Sequence, residues 1–186
     1  MKNSVIAVLL AEGFEEIEAV TPIDVLRRLE FSVVVAGVGG RDIAGAHGLR
    51  LATDVAVEDL RAEELAALVL PGGMPGAINL RDNPKVIELV RAVHAAGKPV
   101  GAICAAPIVL AAAGLTRGKT VTGYPMALLK EVLADANYTG KLVETDGTVI
   151  TGKGPGAAFA FAVAIAAALG KAAAAEQMLK TMFVPR

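Results

Sequence analysis

One cysteine, two histidines and no tryptophan stand among the 186 residues, and each scarcity excludes something. A single thiol, Cys104, cannot close an internal disulfide, so no disulfide framework holds the fold, and the chain suits a reducing compartment. His47 and His94 are too few for a histidine-built metal site; neither a metal nor an organic cofactor is expected. With 4 % aromatic residues there is no stacking platform for single-stranded nucleic acid. Lys and Arg total 18 against 19 Asp and Glu, a formal net charge of −1, so the basic footprint of a nucleic-acid binder is missing. Long apolar runs are missing too. The uncharged stretch from Gly154 to Gly170 is about 17 residues of mostly Ala, at the lower limit for a membrane span. Residues 5–11 follow Lys2 as an apolar signal core would. However, Glu12, Glu15, Glu16 and Glu18 occupy the place of a small-residue cleavage site. No G-x-G-x-x-G follows a strand and no Walker loop is present. The expectation is a soluble cytoplasmic protein, bound to neither membrane nor nucleic acid.

Apolar residues make up 54 % of the chain and charged residues 20 %, which excludes disorder and supplies a core for one domain over residues 1–186. Short β-rich runs alternate with helical patterns, the order of an α/β sandwich. Strands are predicted at 4–10, Phe31–Val35, Ala66–Leu70, Pro99–Ile103 and 119–122, with a hairpin over 141–151 turning at Asp146-Gly147. Residues 16–30 carry Ile17, Val20, Ile23, Val25, Leu26 and Leu29 at helical spacing, and Pro22 predicts a kink or a break within them. Residues 37–48 read as a Gly-rich loop or hairpin. Helices are predicted at 84–96, 105–113, 126–134, 156–169 and 171–181, with Pro84 opening the first and Gly97 and Gly114 closing the first two.

Three segments carry chemistry. In Lys98-Pro-Val-Gly-Ala-Ile-Cys-Ala-Ala-Pro107 a buried strand runs straight into Cys104 and a helix follows. This is a strand-turn-helix elbow of the kind that exposes a nucleophile. The helix start would place free N–H groups beside the sulfur and favour thiolate over thiol, whose ordinary pKa is about 8.5. A lone cysteine also serves as a small buried hydrophobe, and both roles stay open. In Leu70-Pro-Gly-Gly-Met74, two glycines after a strand allow a sharp turn. If that strand neighbours the Cys104 strand, the N–H of Gly73 could join that of Ala105 as an oxyanion site. The third segment, Glu12–Glu18, follows the first strand and faces the same sheet edge. Glu15 and Glu16 are read as favourable charges in a first helical turn. Glu18 could point inward as a carboxyl partner for the sulfur. His94 falls on a surface helix and is expected to be solvated; His47 is expected to be structural or exposed.

Together these segments resemble the ThiJ/PfpI superfamily, in its DJ-one-like branch. The resemblance runs over nearly the whole chain, through Ala11–Glu18, Thr21–Arg28, Val69–Gly73, Ala77–Leu80, Ala102–Pro107, Gly154–Gly156 and Phe159–Ile165. It implies a flavodoxin-like three-layer sandwich with a mainly parallel sheet and a homodimer that buries the helix around residues 16–29. It implies Cys104 as the reactive residue, Glu18 as its carboxyl partner, and a pocket from Gly72, Gly73, Ala105 and Tyr124. The activities it implies are glyoxalase or deglycase chemistry on a small aldehyde or glycated substrate, with redox sensing or a chaperone-like role as alternatives. Two departures matter. Ala105 stands where the peptidase branch has His, which disfavours peptidase activity, and a non-catalytic dimeric scaffold is a further alternative. Tyr124 stands where the deglycase branch often has His. A phenol with a pKa of about 10 shuttles protons poorly at neutral pH, leaving the acid–base work to Glu18.

Overall fold

The structure, a computed structural model, describes residues 4–185. From the amino end, β1 (Val5–Leu10) leads into α1 (Glu16–Arg28), β2 (Val33–Gly37), β3 (Asp42–Ala44), β4 (Arg50–Ala52), β5 (Val55–Ala56) and β6 (Leu65–Leu70). Then come α2 (Gly76–Asp82), α3 (Pro84–Ala95), β7 (Val100–Ile103), α4 (Pro107–Ala112), β8 (Thr120–Val121) and α5 (Ala127–Val132). β9 (Asn137–Tyr138), β10 (Val143–Asp146), β11 (Val149–Gly152), α6 (Ala158–Ala168) and α7 (Ala172–Thr181) complete the chain. Among the described residues, no helix is long and apolar enough to cross a membrane.

Seven strands form the central sheet in the order β10-β11-β7-β6-β1-β2-β5. All neighbours are parallel except the β10–β11 hairpin. Strand β1 shows why the sheet is sandwiched. Ile6, Val8 and Leu10 point into one apolar layer with Val25, Leu26, Phe161 and Ile165. Ala7 and Leu9 point into the other, with Leu80, Leu89, Val93 and Leu110. The two-residue period of a strand buried on both faces therefore feeds two cores, one under α1, α6 and α7, the other under α2 to α5. The result is the flavodoxin-like α/β/α arrangement with a mainly parallel sheet. From β1 the chain moves to β2 on one side and returns through β6 on the other. The strand order thus reverses between β1 and β6, and a crevice opens at their carboxyl ends.

Several local expectations are corrected. Pro22 does not break α1, which runs through it; the ring removes only the N–H that would have met the Glu18 carbonyl. The hairpin turn is one residue later than expected. Asp146 pairs with Val149, so Gly147 (φ +63°) and Thr148 are the turn residues. The Asp146 carboxylate is engaged elsewhere, accepting from Lys119 Nζ and the Thr120 N–H, both at 2.9 Å. Residues 37–48 hold only the first strand of a hairpin, β3; its partner β4 lies just beyond them. Helix α2 has no counterpart among the sequence expectations. His94 is half-buried rather than solvated, its Nδ1 2.8 Å from Thr148 Oγ1.

Candidate active site

Parallel strands deliver their following loops to one edge, and three of those loops converge at the crevice. Strand β7 ends at Ile103, and Cys104 immediately takes a left-handed conformation, φ +63°. That is unusual for a residue with a Cβ and is the backbone price of an elbow. Two bonds pin it: its N–H donates to Gly152 O at 2.9 Å, and its carbonyl accepts from the Tyr124 N–H at 2.8 Å. Helix α4 begins only at Pro107 and is six residues long, so the turn amides, rather than a long helix dipole, face the sulfur. The N–H groups of Ala105 and Gly73 both donate to Cys104 Sγ.

The neighbouring strand β6 ends in Pro71-Gly72-Gly73, and the first turn of α1 clasps that turn. Gly72 N–H donates to Glu18 Oε2 at 2.9 Å, while Gly72 O accepts from the Glu15 N–H at 3.0 Å. Glycine is required here for space: a Cβ on Gly72 would sit 2.7 Å from Cys104 Cβ and 2.7 Å from Glu18 Oε2. Gly73 is required for conformation, with φ +88°. Glu18 is fully buried beside Cys104, and its Oε1 has no hydrogen-bond partner.

Burial dominates the electrostatics. It pushes the Glu18 carboxyl up to about 7, against the opposing pull of hydrogen bonds from Cys104 and Gly72, and the Glu15 charge adds to the rise. Burial also leads in pushing the Cys104 thiol up to about 12; the Glu18 charge and hydrogen bond add to this, and the Ala105 and Gly73 amides oppose it. The expectation that the elbow would favour a free thiolate is therefore corrected. The amide donors are in place, but desolvation and a contacting carboxylate outweigh them. Two anions in contact in a dry site do not both ionise, so between these two values the pair holds one proton.

The structure thus brings together Cys104, Glu18, Gly72, Gly73 and Ala105. Tyr124 reaches Cys104 through its backbone N–H, while its side chain is 50 % exposed. The other carboxylates behave differently from expectation. Glu16 is buried and tethers the loop after β3, accepting from His47 N–H at 2.7 Å and Leu49 N–H at 3.4 Å, with His47 Nδ1 at 2.9 Å. Burial works against its charge, but these bonds hold the Glu16 carboxylate below its ordinary value. His47 is exposed and raised by its hydrogen bond to Glu16. Glu15, Glu16 and His47 bring ligand atoms within 4.8 Å of one another. Both Glu16 oxygens are already engaged, so the trio reads as a tether. A groove of about 1040 Å³ lies at the carboxyl-terminal helices, lined by residues such as Phe159, Val163, Leu179 and Phe183. None of the Cys104 constellation lines it.

Comparison with known proteins identifies the family. A match to the DJ-1/PfpI family spans residues 4–168. The chain belongs to the DJ-1/PfpI family. It is 38 % identical to the Parkinson disease protein 7 homolog of Danio rerio over 152 residues, 80 % of each chain. A Pyrococcus abyssi protein named as a deglycase is 34 % identical over 152 residues, 81 % of this chain and 90 % of that one. The crystal structure of Drosophila melanogaster DJ-1beta superposes with a TM-score of 0.92 at 34 % identity, covering 99 % of this chain and 100 % of that one.

Proposed function

We propose that this DJ-1/PfpI member is a cysteine-dependent enzyme acting without a cofactor on small reactive carbonyls, such as methylglyoxal or its early adducts with amines and thiols. One observation carries the reading: Cys104 Sγ receives two backbone amides and sits against a buried carboxyl that has one oxygen unpartnered. A structural cysteine needs none of these. The deglycase name of the Pyrococcus abyssi relative supports the same substrate class.

The steps follow from the single shared proton. Cys104 holds the shared proton at rest; its transfer to Glu18 makes the thiolate, which adds to the aldehyde carbon. The carbonyl oxygen takes the negative charge, and the amides of Gly73 and Ala105 hold it. Glu18 gives its proton to that oxygen and becomes a carboxylate. It then removes the hydrogen from the former aldehyde carbon and returns a proton to the neighbouring carbon, while the hydroxyl proton on the former aldehyde oxygen passes to the former ketone oxygen. This converts the hemithioacetal into a thioester, which water cleaves to the 2-hydroxy acid and free Cys104. Net, methylglyoxal and water become lactate, with no external oxidant or reductant. The test is lactate formation from methylglyoxal by the purified protein; no turnover above the spontaneous rate would overturn the reading.

Glu18 Oε1 favours a second reading, oxidation sensing. An unpartnered protonated carboxyl oxygen can donate to a sulfinate on Cys104 and make it the preferred oxidation product. Mild peroxide is then expected to add two oxygens to Cys104 before any methionine is oxidised. Mass spectrometry of the peptide carrying residue 104 reads the order, and methionines oxidising first would remove this reading. For either role we place the protein in the cytoplasm as a homodimer. Ile17 and Val20, 54 % and 43 % exposed on α1, supply an apolar contact face. Sedimentation at micromolar concentration gives a dimer mass if this holds.

A further inference from the structure

We propose that Tyr138 is a positioning residue for Cys104: its hydroxyl, acting through the Gly123–Tyr124 peptide, holds the left-handed elbow that aims the sulfur at the Gly73 and Ala105 amides. The inference rests on Cys104 being the reactive group. Tyr138 lies on β9, far from Cys104 in sequence, and nothing in its sequence surroundings marks it.

The chain of contacts is short and continuous. Tyr138 Oη donates to Gly123 O at 2.7 Å. The same peptide unit carries the Tyr124 N–H, which donates to Cys104 O at 2.8 Å. One peptide group therefore takes a hydrogen bond on its carbonyl and gives one from its nitrogen. Such chains polarise each link, so a donor at the carbonyl strengthens the N–H as a donor. Gly123 is buried against the elbow, and a Cβ placed there would lie 3.0 Å from Cys104 O. The absence of a side chain lets the relay peptide come this close.

The far end of the relay is itself anchored. Strand β9 pairs in parallel with β8, Val121 opposite Tyr138. The Thr139 N–H donates to Val121 O at 3.0 Å, and the Thr122 N–H to Thr151 Oγ1 at 2.9 Å. Segment 119–124 is thus fixed at several points before it reaches Cys104. A left-handed residue with a Cβ persists only where its surroundings over-determine it. At Cys104 those surroundings are the Gly152 bond on its N–H and the relay on its carbonyl. Without the Tyr138 hydroxyl, Gly123 O loses a donor, the 123–125 turn loosens, and Sγ spends less time against its two amides. The thiolate form of the shared-proton pair then falls in population.

Tyr138→Phe keeps the ring and removes only the hydroxyl, and the reading is the pH profile of Cys104 alkylation by iodoacetamide in the folded protein. Its plateau above neutral pH is expected to fall about threefold or more, since alkylation follows the thiolate population. Val90→Ala serves as the control. Val90 is fully buried in α3 and makes none of the relay's hydrogen bonds, and its truncation lowers thermal stability while leaving those bonds in place. The inference holds if Tyr138→Phe lowers the plateau and Val90→Ala does not. An unchanged plateau in Tyr138→Phe, or an equal fall in both variants, overturns it while leaving Cys104 reactive. A wild-type Cys104 that resists alkylation throughout would instead overturn the reactive-cysteine reading, and this inference with it.

Discussion

Cys104→Ser is expected to lower kcat/KM for lactate formation from methylglyoxal by at least about a thousandfold, which is about 4 kcal/mol of transition-state stabilisation. The substitution is nearly isosteric, and the features that shape the elbow stay: Gly152 O, the Tyr124 N–H, and the amides of Gly73 and Ala105. What changes is acidity. A serine hydroxyl holds its proton far more tightly than a thiol, and Glu18, pushed up to about 7, is too weak a base to remove it. The amides would still polarise the aldehyde, so a small residual rate above water is expected from them alone. Thermal unfolding measured beside the kinetics separates chemistry from folding. The expected pair of results is a melting temperature within a few degrees of wild type and an activity near background. A variant that keeps a tenth or more of the wild-type rate would mean the thiolate is not the nucleophile.

Much of the site was legible because its parts are local in sequence. The β7 strand and its cysteine are contiguous, and Pro71-Gly72-Gly73 announces its own turn. The hydrophobic pattern of residues 5–10 already requires burial on both faces. The inward aim of Glu18 is a matter of phase: it lies two residues past Glu16 and so on another side of α1. Electrostatics was not legible in the same way. The amides around Cys104 were readable from the elbow, but their effect is outweighed by burial and by Glu18, which depend on how the layers close. Partners far apart in sequence were also hidden. Glu16 meets His47 across 31 residues, His94 meets Thr148 across 54, and Tyr138 meets Gly123 across 15. Asp146 misled the turn assignment for the same reason, since its carboxylate serves Lys119 and Thr120 rather than its own hairpin. A polar side chain in a loop reads as local until its distant partner is known.

Glu18→Gln is expected to move activity and stability in opposite directions. Gln keeps an acceptor for the Gly72 N–H, now 2.9 Å from Glu18 Oε2, and keeps the side-chain volume in a fully buried position. It cannot carry the proton between the two substrate carbons, so kcat is expected to fall by about a hundredfold to ten-thousandfold. For stability the sign is fixed by linkage. The folded-state pKa of Glu18 is raised from the ordinary 4.5 to about 7, so the native state favours the neutral acid. The stability that Glu18 contributes is complete below pH 4.5 and is lost as pH rises through 7, by roughly 3 kcal/mol as an upper bound. Gln is neutral throughout and escapes that loss. Urea unfolding of both proteins should therefore nearly coincide at pH 4.5 and separate by up to about 3 kcal/mol in favour of Gln at pH 8.5. Equal pH dependence in the two proteins would show that Glu18 is not a dry, raised carboxyl. A stabilised but inactive variant would show instead that the native protein tolerates a costly buried acid because the acid is used. A carboxyl present only for packing would have no reason to remain ionisable where amide does the same structural task at lower cost.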